Sequence, residues 1–146
     1  MIPTFSIFTD GGSRGNPGPA ASGVYIVNAK GKEAYSLGKP LGDTTNNVAE
    51  YTAVLLACEW LNKQPVKDIT SVHFFLDSEL ACRQLNGIYK VKSEGLKPLY
   101  YSIQEYRGKF AFKTVFSHIP REKNKMADAL VNMALDKNSR VSYNKS

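Results

Sequence analysis

The stretch FTDGGSRGNPGP, residues 8–19, ends an apolar run on Asp10 and continues with two glycines, Gly11 and Gly12. Because glycine has no Cβ and adopts positive φ without strain, another backbone can approach the main chain closely at these positions. An isolated Asp-Gly-Gly is nevertheless most often a turn. Whether this segment is an ordinary turn or part of a functional surface therefore depends on the other acidic residues of the chain.

The composition indicates one compact domain. With 146 residues, 42% of them hydrophobic, the chain can bury one core and has little room for a second. It has no apolar stretch near the roughly 20 residues of a membrane span and no leader-like N-terminus, so we expect a cytoplasmic monomer without a membrane partner. Cys58 and Cys82 lack the spacing of a disulfide framework or a zinc site. The net charge of +6 favours a polyanionic partner.

Hydrophobic periodicity predicts strands and helices in the order β-β-β-α-β-α-α-β-α. The strands are expected at residues 5–9, 23–28, 33–39, 69–76 and 110–116, and the helices at 47–62, 78–86, 97–107 and 124–137. This order predicts an α/β fold with a five-stranded mixed sheet, three antiparallel strands first and then parallel strands, and helices on both faces. The domain is expected to span residues 1–137. The polar, aperiodic residues 138–146 are expected to form a flexible tail.

Two acidic residues stand where apolar strands end. Asp10 follows the first predicted strand and Asp77 follows the fourth, and ligands of open α/β sheets gather outside the carboxyl ends of strands. If the two strands are parallel neighbours, their backbones lie about 4.8 Å apart. Two carboxylates held so close need a cation or a shared proton. Taken alone, Asp77 is equally well explained as the N-cap of the following helix.

Two further acidic candidates have ordinary structural explanations as well. Glu50 fits a helix capping box in which it reaches back to the Asn47 amide. Asp128 shares a polar helix stripe with Asn124 and Asn132, which is typical of a solvated helix face. Taken alone, neither acidic residue identifies a functional site.

Other chemistries find no support in the sequence. The chain contains no GxGxxG, no GxxxxGK[ST] and no GxSxG pattern. His118, just past the fifth predicted strand, is by itself most often a loop histidine. Hard oxygen ligands without cysteine or paired histidine point to magnesium or manganese, not to zinc.

Four motifs occur together in one order along the chain: TDGGSRGNPGP at residues 9–19, TTNNVAE at 44–50, Asp77-Ser78, and His118 ten residues before Asp128. Taken jointly, from about residue 5 to residue 135, they resemble type 1 ribonuclease H. The resemblance implies an endoribonuclease that hydrolyses the RNA strand of RNA/DNA hybrids and leaves 5′-phosphate and 3′-hydroxyl ends. It also implies two Mg²⁺ ions per site, for which Mn²⁺ can substitute.

The resemblance assigns a role to the residues of each motif. The metal-binding carboxylates are Asp10, Glu50, Asp77 and Asp128, and His118 assists proton transfer or product release. The residues that face the substrate are Gly11, Gly12, Asn16, Thr45, Asn46, Asn47 and Ser78, with Thr45 near a DNA phosphate. Glycine backbone groups and amide side chains suit close contact with the 2′-hydroxyl, which the wide minor groove of such a duplex exposes.

The chain also departs from well-studied cellular members of that family. The loop GIYKVKSEG at residues 87–95 is short and only modestly basic where those members carry a basic handle, so we assign part of the substrate affinity to Lys90 and Lys92. Glu79 stands where some members carry an amide that contacts RNA. We also expect no N-terminal hybrid-binding module, since the catalytic segment starts almost at residue 1.

Two other functions fit the same architecture. One is a catalytically silent hybrid-binding module, against which the four retained acids argue, because concentrated negative charge repels phosphates. The other is a nuclease of the same fold that acts on double-stranded RNA or DNA. Double-stranded RNA also stays open as an additional substrate of a ribonuclease H.

Overall fold

The computed structural model describes residues 2–143. The elements, in chain order, are β1 (Phe5–Ser13), β2 (Gly18–Asn28), β3 (Glu33–Thr44), α1 (Asn46–Asn62), β4 (Ser71–Leu76), α2 (Glu79–Leu85), α3 (Lys97–Lys109), β5 (Lys113–His118) and α4 (Lys125–Lys137). Short 3-10 turns lie at Val66–Asp68 and Arg121–Lys123. The predicted order of strands and helices is confirmed. None of the helices formed by residues 2–143 combines the length and the apolar character that a bilayer span requires.

The strands form one mixed sheet in the order β3-β2-β1-β4-β5. The first three strands pair antiparallel, and β4 pairs parallel with both β1 and β5. Successive strand residues point to opposite faces of a sheet, and Gly11 lies against Ala49 of α1 whereas Gly12 lies nearest Val131 of α4. Helices therefore cover both faces, and the predicted α/β fold class is confirmed.

The first strand is longer than the sequence pattern predicts. Its parallel pairing with β4 ends at the pair Thr9–Leu76, but its antiparallel pairing with β2 continues to Ser13–Ala20. Glycine weakens a strand through its conformational entropy, so a glycine pair after Asp10 predicts a turn; here the ladder with β2 overrides that local preference. Asp10 consequently lies inside a strand and not in a turn.

The larger core lies between the sheet and helices α1 and α3. Three fully buried alanines, Ala49, Ala53 and Ala57, recur every four residues along α1, so the helix backbone lies close to the sheet. Ile103 of α3 and Phe74 of β4 are also fully buried in this core. The first turn of α1 lies beside Gly11, in the second half of β1.

The chain after α4 differs from the expected flexible tail. Val141 exchanges two backbone hydrogen bonds with Gly38 of β3, at 2.8 and 2.9 Å. The Tyr143 backbone N–H donates to Ser36 Oγ at 2.8 Å, and its hydroxyl donates to the Met126 carbonyl oxygen at 2.6 Å. These contacts argue against a flexible tail at residues 141–143, while residues 144–146 lie outside the described residues. Pairing with an edge strand uses backbone groups, which is why a polar, aperiodic sequence gave no sign of it.

We expect Tyr143→Ala to destabilise the fold by about 1–2 kcal/mol, because it removes one hydrogen bond and one aromatic contact. The ring of Tyr143 meets the ring of Tyr25 edge to face at a centroid distance of 5.8 Å. Tyr143→Phe keeps the ring and should lose only the hydrogen-bond share, about 1 kcal/mol or less. Urea denaturation of both variants measures the two losses. Equal stability of wild type and Tyr143→Ala would show that this segment contributes nothing to the fold.

Candidate functional site

Four acidic side chains from four different elements line one cleft of about 370 Å³. Asp10 lies in β1, Glu50 in α1 and Asp128 in α4, while Asp77 directly follows β4. The cleft is also lined by backbone or side chains of Gly11, Gly12, Ser13, Arg14, Asn46, Asn47 and Arg121. The structure thus brings together the four carboxylates that the sequence motifs single out.

The sheet register places the first two acids side by side. Thr9 of β1 pairs with Leu76 of β4 in the parallel ladder, so Asp10 and Asp77 are each the next residue beyond that pair. Neighbouring strands of a sheet lie about 4.8 Å apart. The hypothesis that these two strands are parallel neighbours is confirmed.

Helix α1 approaches β1 backbone against backbone. A Cβ on Gly11 would lie 2.2 Å from the Ala49 carbonyl carbon and 2.3 Å from the Glu50 nitrogen. The buried Ser22 hydroxyl of β2 donates to the Ala49 carbonyl oxygen at 2.6 Å. The missing side chain of Gly11 therefore makes room for the helix that carries Glu50. A contact between Gly11 and a substrate stays a prediction.

The capping alternatives for two of the acids are wrong. Thr45 is the N-cap of α1, and its side chain accepts from the Val48 N–H at 3.2 Å, so Glu50 completes no capping box with Asn47. Ser78 is the N-cap of α2, and its hydroxyl accepts from the Ala81 N–H at 3.2 Å. Asp77 therefore caps no helix. Thr45 and Ser78 are the caps because each has an extended backbone directly before its helix and a side-chain oxygen that accepts from the first turn.

The cleft disfavours ionisation of two of its acids. Burial, followed by repulsion from Asp77 and Asp128, raises the pKa of Asp10 from 3.8 to about 8. Burial also raises the pKa of Glu50 from 4.5 to about 7, although a hydrogen bond from the Ser78 side chain lowers it. Asp77 raises the pKa of Glu50 further, and the positive charge of Arg121 lowers it. A cation in this cleft would relieve the repulsion.

The donor set of the cleft fits a hard divalent cation. Carboxylate oxygens are the ligands that Mg²⁺ and Mn²⁺ prefer, and the cleft offers four of these groups without a thiolate or imidazole. In residues 2–143, however, no three acidic, histidine or cysteine side chains are gathered closely enough to hold an ion in their present orientations.

The predicted asparagine contacts are partly used inside the protein. Asn46 Oδ1 accepts from the Ser13 N–H at 2.8 Å and from the Ser13 hydroxyl at 3.0 Å. Asn16 Oδ1 accepts from the Asn46 backbone N–H at 3.1 Å. These bonds tie the loop after β1 to the start of α1. They consume acceptor oxygens and leave the side-chain NH₂ groups of both residues as the donors available to a ligand.

Six of the predicted residues lie outside the cleft lining: Asn16, Thr45, Ser78, His118, Lys90 and Lys92. His118 is the last residue of β5, is exposed, and pairs with Leu76 in the sheet register, one residue before Asp77. Lys90 and Lys92 are exposed in the segment between α2 and α3. Lys90 lines a second cleft of about 370 Å³, together with Gly87, Tyr89, Val91, Lys97, Tyr100 and Tyr101.

Two residues of the site are missing from the sequence-based prediction. Arg121 lines the acidic cleft and is the basic residue whose charge acts on Glu50. Asn124 is buried, and its side-chain nitrogen donates to the Thr9 carbonyl oxygen at 2.8 Å and to Asp77 Oδ2 at 3.2 Å. The predicted polar stripe of α4 is therefore wrong for Asn124, although Asn132 is exposed. The only sequence signal for a role of Arg121 and Asn124 in the site was their position a few residues after His118.

Comparisons with known proteins find relatives over most of the chain. The model of a family described as reverse transcriptase-like matches residues 8–134. LC11-RNase H1, isolated from compost by a metagenomic approach, has a structure in complex with an RNA/DNA hybrid that superposes with a TM-score of 0.87. It is 46% identical in sequence, and the match covers 92% of this chain and 98% of that chain.

Two curated relatives are longer than this chain. Ribonuclease HI of Halobacterium salinarum is 37% identical over 129 residues, which cover 88% of this chain and 63% of the relative. The bifunctional protein Rv2228c of Mycobacterium tuberculosis is 36% identical over 131 residues, which cover 89% of this chain and 35% of the relative. This chain therefore spans about a third of the length of the mycobacterial protein.

We expect Gly11→Ala and Gly12→Ala to affect stability very differently, although they add the same methyl group to adjacent residues. The Gly11 methyl would overlap the α1 backbone, which cannot yield as a side chain can, so we expect a loss of about 1–3 kcal/mol or more. The Gly12 methyl would meet only Val131 Cγ1 at 3.8 Å, an ordinary contact. We expect that variant to be neutral or slightly stabilising. Urea denaturation compares the two, and equal losses would contradict the backbone contact.

The raised pKa values predict how the metal-free protein responds to pH. Between about pH 4 and pH 8 the folded protein holds protons on Asp10 and Glu50 that the unfolded chain releases. The contribution of these two groups to the stability is therefore fully present at low pH and is lost as the pH rises through their folded pKa values. We expect Asp10→Asn to raise the melting temperature in EDTA more at pH 9 than at pH 5. Asp43→Asn, which removes an exposed carboxylate, is the control, and an equal gain at both pH values would contradict the assignment.

Proposed function

Because this chain belongs to the type 1 ribonuclease H family, we propose that it is an endoribonuclease that hydrolyses the RNA strand of RNA/DNA hybrids. The observation that carries the proposal is the cleft in which Asp10, Glu50, Asp77 and Asp128 converge from four elements. The hybrid bound in the structure of LC11-RNase H1, 46% identical to this chain, supports the choice of substrate.

The four carboxylates are the groups that would hold metal ions, and we infer two Mg²⁺ ions, with Mn²⁺ as a substitute. Bound there, such ions would lower the pKa of a water molecule and would stabilise negative charge on a phosphate. Repulsion from Asp77 and Asp128 contributes to the raised pKa of Asp10, and a divalent cation bound between the acids would relieve that repulsion. This supports a role for the acids in binding a cation.

In the hydrolysis, a bond forms between a water oxygen and the RNA phosphorus while the bond from phosphorus to the 3′-oxygen breaks. The products carry 5′-phosphate and 3′-hydroxyl ends. One water proton has to leave, and the 3′-oxygen has to gain one. We propose that His118 assists this proton transfer or the release of product, since the sheet register places it one strand away from Asp77.

Selection of RNA requires contact with the 2′-hydroxyl, which can accept and donate a hydrogen bond. We propose that Asn16 and Asn46 donate from their side-chain NH₂ groups, because their carbonyl oxygens are occupied within the protein. Gly12, Asn47, Thr45 and Ser78 complete the proposed contacts around the cleft. The Ser78 hydroxyl accepts from the Ala81 N–H and donates its one proton to Glu50, so it meets the substrate as a hydrogen-bond acceptor.

A second surface supports binding of the duplex backbone. Lys90 and Lys97 line a cleft with three tyrosines, of which Tyr89 and Tyr101 are 48% and 63% exposed. Basic and aromatic side chains in one groove are typical of nucleic-acid contacts. We propose that this cleft and the neighbouring Lys92 take the place of a basic handle. Double-stranded RNA would meet the same surface and is the alternative substrate.

The test is cleavage of matched RNA/DNA hybrid, double-stranded RNA and double-stranded DNA in Mg²⁺ or Mn²⁺. We expect cleavage of the RNA strand of the hybrid and no cut in DNA, because DNA lacks the 2′-hydroxyl. Mapping of the product ends should find 5′-phosphates and 3′-hydroxyls. Binding of the hybrid without cleavage in either metal would favour the silent binding module, and cleavage of DNA would favour the broader nuclease.

Glu50→Gln is the matched control for that assay. Thr45, not Glu50, caps α1, and a neutral side chain at position 50 removes charge repulsion, so we expect a normal fold. We expect hybrid cleavage to fall at least about 100-fold, equivalent to about 3 kcal/mol of transition-state stabilisation. A Glu50→Gln protein with wild-type activity would exclude Glu50 from the catalytic set.

A further inference from the structure

Asn124 lies directly before α4 and is almost completely buried, with 1% of its surface exposed. Asparagine is mostly found on protein surfaces, and a buried one needs hydrogen-bond partners. The backbone carbonyl of Asn124 accepts from the Asp128 N–H at 3.1 Å, one turn into the helix. Asn124 is thus part of the structure that starts α4 and places Asp128.

The side-chain NH₂ group of Asn124 bridges the ends of the two central strands. It donates to the Thr9 carbonyl oxygen at 2.8 Å and to Asp77 Oδ2 at 3.2 Å. A backbone carbonyl oxygen can only accept a hydrogen bond, so the amide nitrogen of Asn124 has to face the Thr9 carbonyl. One side chain therefore connects the residue before Asp10, the carboxylate of Asp77 and the first turn of α4.

The other end of the amide has an unfavourable environment. Asn124 Oδ1 is buried and has no hydrogen-bond partner among residues 2–143. A buried acceptor without a partner destabilises a fold. The two hydrogen bonds made by the NH₂ group offset this destabilisation. The NH₂ group is therefore the part of the side chain that favours its burial.

A neutral donor is well suited to hold one acid of a crowded cluster. Asp77 shares one cleft with Asp10, Glu50 and Asp128, so these carboxylates repel one another and favour orientations that separate them. The hydrogen bond from Asn124 restrains one oxygen of Asp77 and leaves the other for a cation. A lysine or arginine in its place would restrain Asp77 too, but its charge would compete with the cation.

We propose that Asn124 is a positioning residue that orients Asp77 for binding a divalent cation. The proposal rests on the metal-dependent hydrolysis proposed above. Partners of metal-binding side chains typically change metal affinity or activity 10–100-fold when they are removed. Asn124 acts through Asp77 and contacts neither the cation nor the substrate.

The test is calorimetric titration of the substrate-free protein with MgCl₂ or MnCl₂, for wild type and Asn124→Ala. We expect the variant to bind the metal about 10–100-fold more weakly. Excess Mg²⁺ should restore kcat for hybrid cleavage, with KM for the hybrid unchanged. Ile103→Val, which removes a methyl group from the fully buried core of α3, is the control for general destabilisation. It should lower the melting temperature and leave metal affinity unchanged.

A merely structural role predicts a different result. Metal affinity of Asn124→Ala within about twofold of wild type, together with a lower melting temperature, would overturn the inference. If Asn124→Ala fails to fold, Asn124→Ser, which keeps a short donor, is titrated instead and should show a smaller loss of affinity. A wild-type protein that neither binds Mg²⁺ nor cleaves the hybrid would overturn the proposed function and this inference together. Normal wild-type binding with unchanged variants would overturn this inference alone.

Discussion

The parallel pairing of β1 with β4 is the interaction on which the candidate site depends. The ladder ends at the pair Thr9–Leu76, so the next residue of each strand is an acid at the same edge of the sheet. A slip of one residue would turn one of these side chains to the opposite face. The paired backbone thus sets the distance between Asp10 and Asp77 before any side chain adopts its rotamer.

Close backbone contacts then bring the helices to this edge. At Gly11 the backbone of α1 occupies the space of a Cβ, and at Gly23 a Cβ would lie 2.3 Å from the Ala127 carbonyl oxygen of α4. Glu50 and Asp128 follow these contact points by a turn or less along the chain. Gly11 and Gly23 therefore allow the helices to carry their acids up to the sheet, because any larger residue would push the helix and its carboxylate away.

The same convergence makes the site electrostatically unfavourable without a ligand. The protein carries a net charge of +6, yet it gathers four acids in one partly buried cleft. Burial and mutual repulsion raise the pKa values of Asp10 and Glu50 far above those of exposed carboxyls. Strongly perturbed ionisable groups in a cleft are typical of functional sites. The net positive charge suits a polyanionic ligand, whereas the cleft itself suits a cation that lies between the acids and that ligand.

The amino-acid sequence by itself determined the order of the elements, the mixed sheet and the four acids, since periodicity and the spacing of motifs are local properties of the chain. It did not determine which residue caps each helix, because Thr45, Asn47, Asp77 and Ser78 all have side chains able to cap and lie within two residues of a helix start. Only the tertiary structure decided that Asn124 is buried against Asp77, that Val141 pairs with Gly38 of β3 and that Tyr143 bonds to Ser36. The physical reason is the same in both cases: these groups find their hydrogen-bond partners more than 40 residues away in the chain, where no local pattern of polarity can indicate them.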